Sequence, residues 1–450
     1  MRIEPGGRTE PGGEAPASPA DPLAGRRVLV LISGSIAAVK LPLVVSALAA
    51  RGAEVRCALT PSAARLVSAV ALASLSRHPC ALDDDQWSHR AARPLHIELA
   101  EWAELVLLAP LSATTLGRWV HGLADGLVAS TLLACEAPVL VAPAMNTAMW
   151  EAAPVRRNWQ ALQAFERVVP VAPGHGLLAC DRRGEGRMAE PERLLLALES
   201  LALHGWRRDW GGRRLLVSTG PTREFLDPAR CLTNPSTGRM GVLLAQAALQ
   251  RGAVVDLVHG PLQVEPVLLD GLQCHPVVTA AEMERDLSRL QLAADAIVMA
   301  AAVADHRRVE ARHEKLPKQD LQPALSGGWE PVPDLLAGLV AGRPAGQRIL
   351  GFAAHSGDVL PQARAKFARK GCDLLFANPI DLTGAGFASP FNQGWLLGPG
   401  ERIEAIAPAP KLAVAHRLLD ALAGLPLRPP AAVPPHRAAA AATRPAAADP

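Results

Sequence analysis

Asn146 stands in VAPAMNTAMW (141–150), directly after an aliphatic run that reads as a buried strand. An amide, two thioethers (Met145 and Met149) and an indole (Trp150) follow where such a strand would otherwise simply turn over. In open α/β sheets ligands bind beyond the carboxyl ends of the strands, so this amide is placed where one would sit. SGSIA (33–37) has the same character. Ser33, Gly34 and Ser35 lie between a strand and a helix start, where hydroxyls, orphan N–H groups and close backbone suit a phosphate. A plain Ser-capped helix reads the same way. The segment is neither G-x-G-x-x-G nor a P-loop, so it does not indicate a dinucleotide or ATP loop. LTPSA and APLSATT bring Thr60, Ser112 and Thr115 to equivalent strand ends. His96 opens a short helix in LHIELAEW, a position more often structural than chemical. Cys180 lies in GLLACDRRGEGRM, a Gly- and Arg-rich loop that either carries an incidental thiol or brings a proton donor over a site.

The second half has its own clusters. LTNPSTGRMG (232–241) opens a helix with Asn234, Ser236, Thr237 and two glycines, and suits an acyl or phosphate group. AAVADHRRVEARHEKLPK (301–318) leaves a strand with Asp305 and then reaches Lys315 and Lys318. A carboxylate there can bind a ribose hydroxyl, and lysines can bind a triphosphate as point charges. Lys366 and Lys370 in ARAKFARK fall on one helix face at i, i+4. Taken singly, these lysines read more readily as solvated charges than as ligands.

Two nearly repeated halves must position these groups. GRRVLVLISGSIAAVK (25–40) is answered by GRRLLVSTGPTREFLD (212–227), and ALAARGAEVRCALT (47–60) by AALQRGAVVDLVHG (247–260). WAELVLLAPLSA (102–113) is answered by AADAIVMAAAVAD (293–305). Leu41, Val44, Val45 and Leu48 repeat at helical spacing, as do Met240, Leu243, Leu244 and Ala247. The strands are continuous apolar runs, as parallel strands covered on both faces require. The pattern predicts an α/β protein of two doubly wound, Rossmann-like domains, 25–203 and 211–425, joined by a linker at 204–210. Residues 1–24 and 426–450 are Pro/Gly/Ala-rich and are expected to be disordered tails.

Net charge +3 over 450 residues is too near neutral to argue for nucleic acid or an anionic membrane. No apolar run is long enough to span a bilayer, and the N-terminus lacks a signal peptide's apolar region, so the cytoplasm is expected. Seven scattered cysteines with no C-x-x-C pair disfavour a zinc site or a disulfide framework. The chain has no tyrosine, which closes phenolic acid–base chemistry.

In order, SGSIAAVK, HIELAEWAELVLLAP, PAMNTAMW and AC-x4-EGRM resemble the homo-oligomeric flavin-containing cysteine decarboxylases. GPTRE-x2-DPAR, LTNPSTGRMG, AAVAD, EKLPK, GFAAHS and ARAKFARKGCDLLFAN resemble the phosphopantothenate–cysteine ligase family. The two fused in this order are similar to the bacterial bifunctional phosphopantothenoylcysteine decarboxylase/phosphopantothenate–cysteine ligases of coenzyme A biosynthesis. The resemblance implies a flavodoxin-like first domain that binds FMN and a second domain that uses CTP and Mg2+. The second would activate 4'-phosphopantothenate as an acyl-cytidylate and join it to L-cysteine; the first would decarboxylate the product to 4'-phosphopantetheine. FMN would serve as the electron sink for that loss of CO2.

The resemblance also implies roles residue by residue. Ser33, Gly34, Ser35, Thr60, Ser112 and Thr115 would hold FMN. His96 would act at the flavin as base or orienting group, Asn146 would hold the substrate carboxylate, and Cys180 would protonate the enethiolate. Asn234 would handle the acyl-cytidylate and Lys315 the departing pyrophosphate. Asp305, Lys315, Phe352, Lys366 and Lys370 would bind CTP. No metal-ligand cluster is visible, as expected if magnesium rides on the triphosphate. A dodecamer of decarboxylase trimers, with flavin sites at subunit contacts, is also implied. The sequence departs from the family pattern at Val39, Thr114, Asp181-Arg182-Arg183, Pro317, Val332, His355 and Pro379.

Overall fold

The structure is a computed structural model that describes residues 21–88, 93–179, 181–310, 312–382 and 386–425. β1 (Arg27–Ile32), β2 (Glu54–Leu59), β3 (Cys80–Ala81), β4 (Leu105–Leu111), β5 (Val139–Pro143) and β6 (Val168–Pro170) form one all-parallel sheet in the order 3-2-1-4-5-6. Val28–Ile32 of β1 and Val106–Leu108 of β4 are wholly buried, because helices cover both faces. The helix Leu41–Ala50 turns Leu41, Val44, Val45 and Leu48 into that core, as their spacing predicts. The strand order reverses between β1 and β4, where SGSIA and APLSATT emerge; this is the switch point at which such sheets open a crevice. A separate hairpin, β7 (Gly174–Leu177) and β8 (Arg183–Arg187), follows the last strand of the sheet.

The second domain begins with β9 (Arg214–Thr219) and a hairpin of β10 (Arg223–Asp227) and β11 (Arg230–Thr233). β12 (Val254–His259), β13 (Gln273–Pro276) and β14 (Ala296–Met299) follow, and then a second hairpin of β15 (His306–Arg308) and β16 (Trp329–Pro331). β17 (Arg348–His355), β18 (Leu374–Pro379), β19 (Phe391–Leu397) and β20 (Ile403–Pro410) complete the chain's strands. The main sheet runs 13-12-9-14-17-18-19-20, parallel through β18, with an antiparallel pair at its edge. The helices Arg239–Gln250 and Lys411–Ala423 cover one face, and Ala280–Gln291, Leu335–Ala341 and Val359–Lys370 cover the other. No helix among the described residues is long and apolar enough to cross a membrane.

Two boundaries differ from the sequence expectation. Asp21–Ala24, assigned to the leading tail, are folded: Leu23 is fully buried in the first core and Asp21 receives the Arg51 guanidinium at 2.7 Å. Their few apolar and acidic groups find partners that composition does not reveal. The segment 204–210 is no free tether either. Trp210 is buried in the second core, and buried Arg251 bridges Asp209 (2.9 Å) and Asp420 (2.8 Å). The preceding helix, Pro191–His204, packs Leu194, Ala197, Leu198 and Leu201 into the first core and Leu196 into the second. It therefore serves both domains. The tails 1–20 and 426–450 lie outside the described residues.

Candidate active sites

In the first domain, chain entry to the PAMN segment is held by packing. Trp150 is buried edge-on against Trp159, with centroids 5.4 Å apart. The indole thus anchors the segment that carries Asn146. Asn146 caps the helix Thr147–Glu151, its Oδ1 accepting the Met149 N–H at 2.8 Å. That bond orients the amide, so Nδ2 is left as a pure donor, as a carboxylate ligand requires. β8 lies against the same segment. Met145 N–H donates to Gly186 O at 3.0 Å and Thr147 Oγ1 to Glu185 O at 2.8 Å. Gly184 and Gly186 share one face of β8 because strands alternate. A Cβ on Gly184 would lie 2.2 Å from Thr147 Oγ1, and one on Gly186 would lie 2.3 Å from Met145 O. The two glycines of RGEGRM are thus what the close approach of strand to PAMN demands.

Between the Ser35–Lys40 turn, Ala144–Asn146 and this hairpin lies a cavity of about 650 Å3, walled largely by Ile36, Val39, Met145, Leu177 and Met188. A flat, mostly apolar ring fits such a wall, and the polar groups for a phosphate are adjacent. Ser35 makes no capping bond and lines the cavity, leaving its hydroxyl available. Gly34 is required because a Cβ there would lie 2.4 Å from Ser62 Cβ. Ser33 behaves differently from the sequence expectation. Its fully buried hydroxyl donates to Pro110 O at 2.6 Å and accepts from Ser112 N–H at 2.8 Å, so it ties the ends of β1 and β4 together instead of reaching a ligand. Thr60 and Ser112 cap short helices after β2 and β4, and Thr115 accepts a bond from Ser112 at 3.2 Å. Ser112 and Thr115 sit at the switch point and Thr60 at the neighbouring end of β2, all three outside the cavity wall.

His96 is half-buried on the helix Leu95–Trp102 and does not line that cavity, so one chain does not bring it to Asn146. Cys180 lies outside the described residues. Its neighbours Leu177, Leu178 and Ala179 line the cavity.

In the second domain, Asn234, Asp305, Phe352 and Lys366 line one cavity of about 450 Å3 at the carboxyl edge of the sheet. Asn234 Nδ2 donates to Ala302 O (3.1 Å) and Val303 O (3.2 Å), which fixes the amide and leaves Oδ1 free. Phe352 stacks edge-on against Phe376, centroids 5.4 Å apart. An adjoining cavity of about 260 Å3 shares Asp305, Phe352 and Lys366 and adds Lys370, as the i, i+4 spacing predicts. Burial pushes the Lys366 ammonium down and Lys370 adds to the shift, while Asp334 and Asp305 act against it. Lys370 is paired with Asp334. Burial opposes the Asp334 charge, but Lys370 and the Ala337 N–H hold its carboxyl below the usual range. Two cations crowded together, one leaning on a single carboxylate, make a site that favours a polyanion.

Residues 16–202 match the Flavoprotein family, and residues 210–425 match the DNA/pantothenate metabolism flavoprotein C-terminal domain. The chain is 37% identical over 368 residues to the coenzyme A biosynthesis bifunctional protein CoaBC of Bacillus subtilis, spanning 82% of this chain and 89% of that one. Against the CoaBC of Mycobacterium bovis it is 38% identical over 418 residues, spanning 88% and 96%. The chain belongs to the CoaBC family. Among solved structures, the FMN-dependent cysteine decarboxylase SpaF is similar at 28% identity and a TM-score of 0.35, spanning 41% of this chain and 98% of that one.

Within this CoaBC chain, Lys315 is exposed and does not line the Asn234 cavity. It is held from the side. The adjacent Leu316 donates its N–H to buried Asp227 at 3.2 Å, and its carbonyl accepts from the Arg230 guanidinium at 3.3 Å. Burial works against the Asp227 charge, yet the N–H groups of Ala229 and Leu316 and the Arg230 guanidinium hold it below the usual carboxylate range. Asp227 and Arg230 belong to the DPAR stretch, so that motif clamps the lysine loop. Sequence reasoning also missed Lys411 and Asn392, which line the Asn234 cavity. Lys411 opens a helix of otherwise apolar rhythm, and a lysine at the root of APKLAVAHRLL was its only signal.

Proposed function

We propose that the second domain ligates 4'-phosphopantothenate to L-cysteine at the expense of CTP, and that the first decarboxylates the product to 4'-phosphopantetheine. The observation that carries this reading is that two differently built cavities open at the carboxyl edges of two sheets in one chain. One is apolar with a free amide donor; the other is cationic with a free amide acceptor. The Flavoprotein match and the CoaBC relatives support the same assignment.

In ligation, a carboxylate oxygen of phosphopantothenate attacks the α-phosphorus of CTP, pyrophosphate leaves, and the cysteine amine then displaces CMP from the acyl carbon. Lys366 and Lys370 hold the triphosphate, Phe352 and Asp305 the nucleoside, and Asn234 orients the acyl group beside them. Mg2+ would be carried by the triphosphate, in keeping with a cavity whose one carboxylate among the described residues, Asp305, lies among lysines. Lys315 swings from its clamp toward departing pyrophosphate.

In decarboxylation, Asn146 Nδ2 holds the cysteinyl carboxylate against the Met145–Met188 wall. The Gly34–Ser35 turn would hold FMN, which when bound would supply a reversible two-electron acceptor for the substrate's thiol-bearing carbons. Cys180 gives its proton to the enethiolate carbon left by CO2. His96 acts from a neighbouring copy of the chain. Exposed Ile36, Val39 and Leu43 beside the cavity supply an apolar contact for that copy, in keeping with a homo-oligomer.

The test is to incubate purified protein with phosphopantothenate, cysteine, CTP and Mg2+ and to follow products by mass. Phosphopantetheine is expected. Accumulation of phosphopantothenoylcysteine with no further loss of 44 mass units, ~CO2, would retain the ligase and discard the decarboxylase.

A further inference from the structure

Lys411 is only 3% exposed, yet among the described residues no carboxylate pairs with it. Its ammonium donates to two backbone carbonyls, Gly386 O (3.3 Å) and Phe387 O (2.9 Å), and faces the Asn234 cavity. A buried ammonium held by neutral carbonyls alone is costly unless an anion completes it. Burial, with the charge of Arg239, pushes it down to about 8. Asn392, 5% exposed, lies on the same wall, and among the described residues its Nδ2 donates only to the Met240 thioether at 3.6 Å, a weak acceptor. The helix Arg239–Gln250 begins there too. Gly238 supplies no side-chain cap; Arg239 N–H reaches Thr237 Oγ1 at 3.4 Å, and the N–H groups of Met240 and Gly241 behind it are the ones that can meet an anion.

These donors stand apart from the nucleotide lysines. Lys366 belongs to the helix on one face of the sheet, while Lys411 and Arg239–Gln250 belong to the other. The smaller cavity with Lys370 shares Lys366 but none of Lys411, Asn392 or Gly238. The Asn234 cavity thus straddles the sheet edge with a cationic group at each end and the acyl-handling amide on its wall. A substrate carrying a carboxylate at one end and a phosphate monoester at the other matches that layout.

We propose that Lys411 anchors the phosphate monoester of 4'-phosphopantothenate, with Asn392 and the start of the helix Arg239–Gln250 completing the pocket. The proposal rests on the ligase reading of the second domain. Lys411 is then the residue that makes the enzyme prefer the phosphorylated substrate to pantothenate.

Steady-state ligation by the full-length, FMN-loaded protein is measured with 4'-phosphopantothenate and with pantothenate, alongside CTP affinity by calorimetry. Lys411→Met is expected to raise KM for phosphopantothenate roughly 10- to 100-fold, as loss of a charge-assisted bond implies. Its kcat stays within about threefold and its KM for pantothenate is unchanged, because only phosphate binding is removed. Lys411→Arg recovers most of the loss. Asn392→Ala, a milder change should the methionine variant not fold, shows a smaller loss confined to the phosphorylated substrate. Equal losses on both substrates, a fall in CTP affinity, or an unchanged KM would each overturn the proposal. If the wild-type protein ligates neither substrate, the ligase reading fails instead.

Discussion

On the proposed reading, the side chain of Asn146 serves structure and chemistry at once. Its carbonyl is committed to the Met149 N–H, and that commitment leaves the amide nitrogen as donor. Asn146→Asp separates the two roles, since aspartate caps a helix as well as asparagine does. The variant is expected to melt within about 2 °C of the parent. Its decarboxylation of phosphopantothenoylcysteine is expected to fall at least about 100-fold, because a charge-assisted bond is replaced by like-charge repulsion. Stopped assays on the purified intermediate check this; near-normal turnover would remove Asn146 from carboxylate binding. That Asn146, Asp305, Lys366 and Lys370 line cavities was legible in the chain because each follows a strand or repeats along a helix, whereas Phe352, inside β17, was reached only through the family resemblance. Ser33 was not, since its partners at Pro110 and Ser112 lie far along the chain. Lys411 and Asn392 escaped for the same reason: their relevant neighbours, Phe387 and Met240, come from other elements.

At the scale of elements, the β7–β8 hairpin holds the PAMN segment by backbone contact, and the Asp227 and Arg230 side chains of the DPAR turn hold the backbone beside Lys315. Gly186 adopts φ +127° against Met145 O, where a Cβ would lie 2.3 Å away. Gly186→Ala therefore has to push the hairpin off PAMN, at a cost of about 1–3 kcal/mol. Decarboxylation is expected to drop more than about tenfold with ligation unaffected, since a shift of about an ångström in a site has that effect; paired assays on one preparation show it. In the other domain, Asp227→Asn removes the charge that holds Arg230 and weakens the grip on Leu316. Ligation kcat is expected to fall roughly tenfold with KM for CTP nearly constant, as for a loop that acts after nucleotide binding. A loss appearing in CTP KM instead would place Lys315 in ground-state binding. The doubly wound order of both halves followed from their continuous apolar strands. The antiparallel β19–β20 edge and the three separate hairpins had no such signal, because short or edge strands lack a distinctive period.

The whole molecule is two sheets joined by a shared helix, and the joint is electrostatically loaded. His416 is buried, accepts or donates a bond with Ser200 at 2.7 Å and stacks on His204 at 5.3 Å. Burial, helped by His204 and Arg251, pushes it down to about 3, with Asp209 acting against the shift. Asp420 also faces the cluster through His204 and Arg251. A histidine neutral in the fold and titrating near 6.5 when released costs stability as pH falls below 6.5, and the loss continues toward 3. Resistance to urea is therefore expected to decline between pH 6.5 and 4 at up to about 1.4 kcal/mol per pH unit from this group. His416→Gln flattens that slope; an unaltered slope would show that the domain joint does not govern acid stability. Sequence alone assigned this region to a linker, since nothing in HGWRRDW announces that its partners are Arg251, His416 and Asp420.

The claim on which the rest depends is that the two cavities act in series on one substrate. Carboxyl-labelled cysteine, supplied with 4'-phosphopantothenate, CTP and Mg2+ to the FMN-loaded chain, tests it directly. One labelled CO2 is expected for each CMP released, with none when CTP is omitted. Labelled CO2 without CTP, or CMP formed with no CO2 at all, would contradict it.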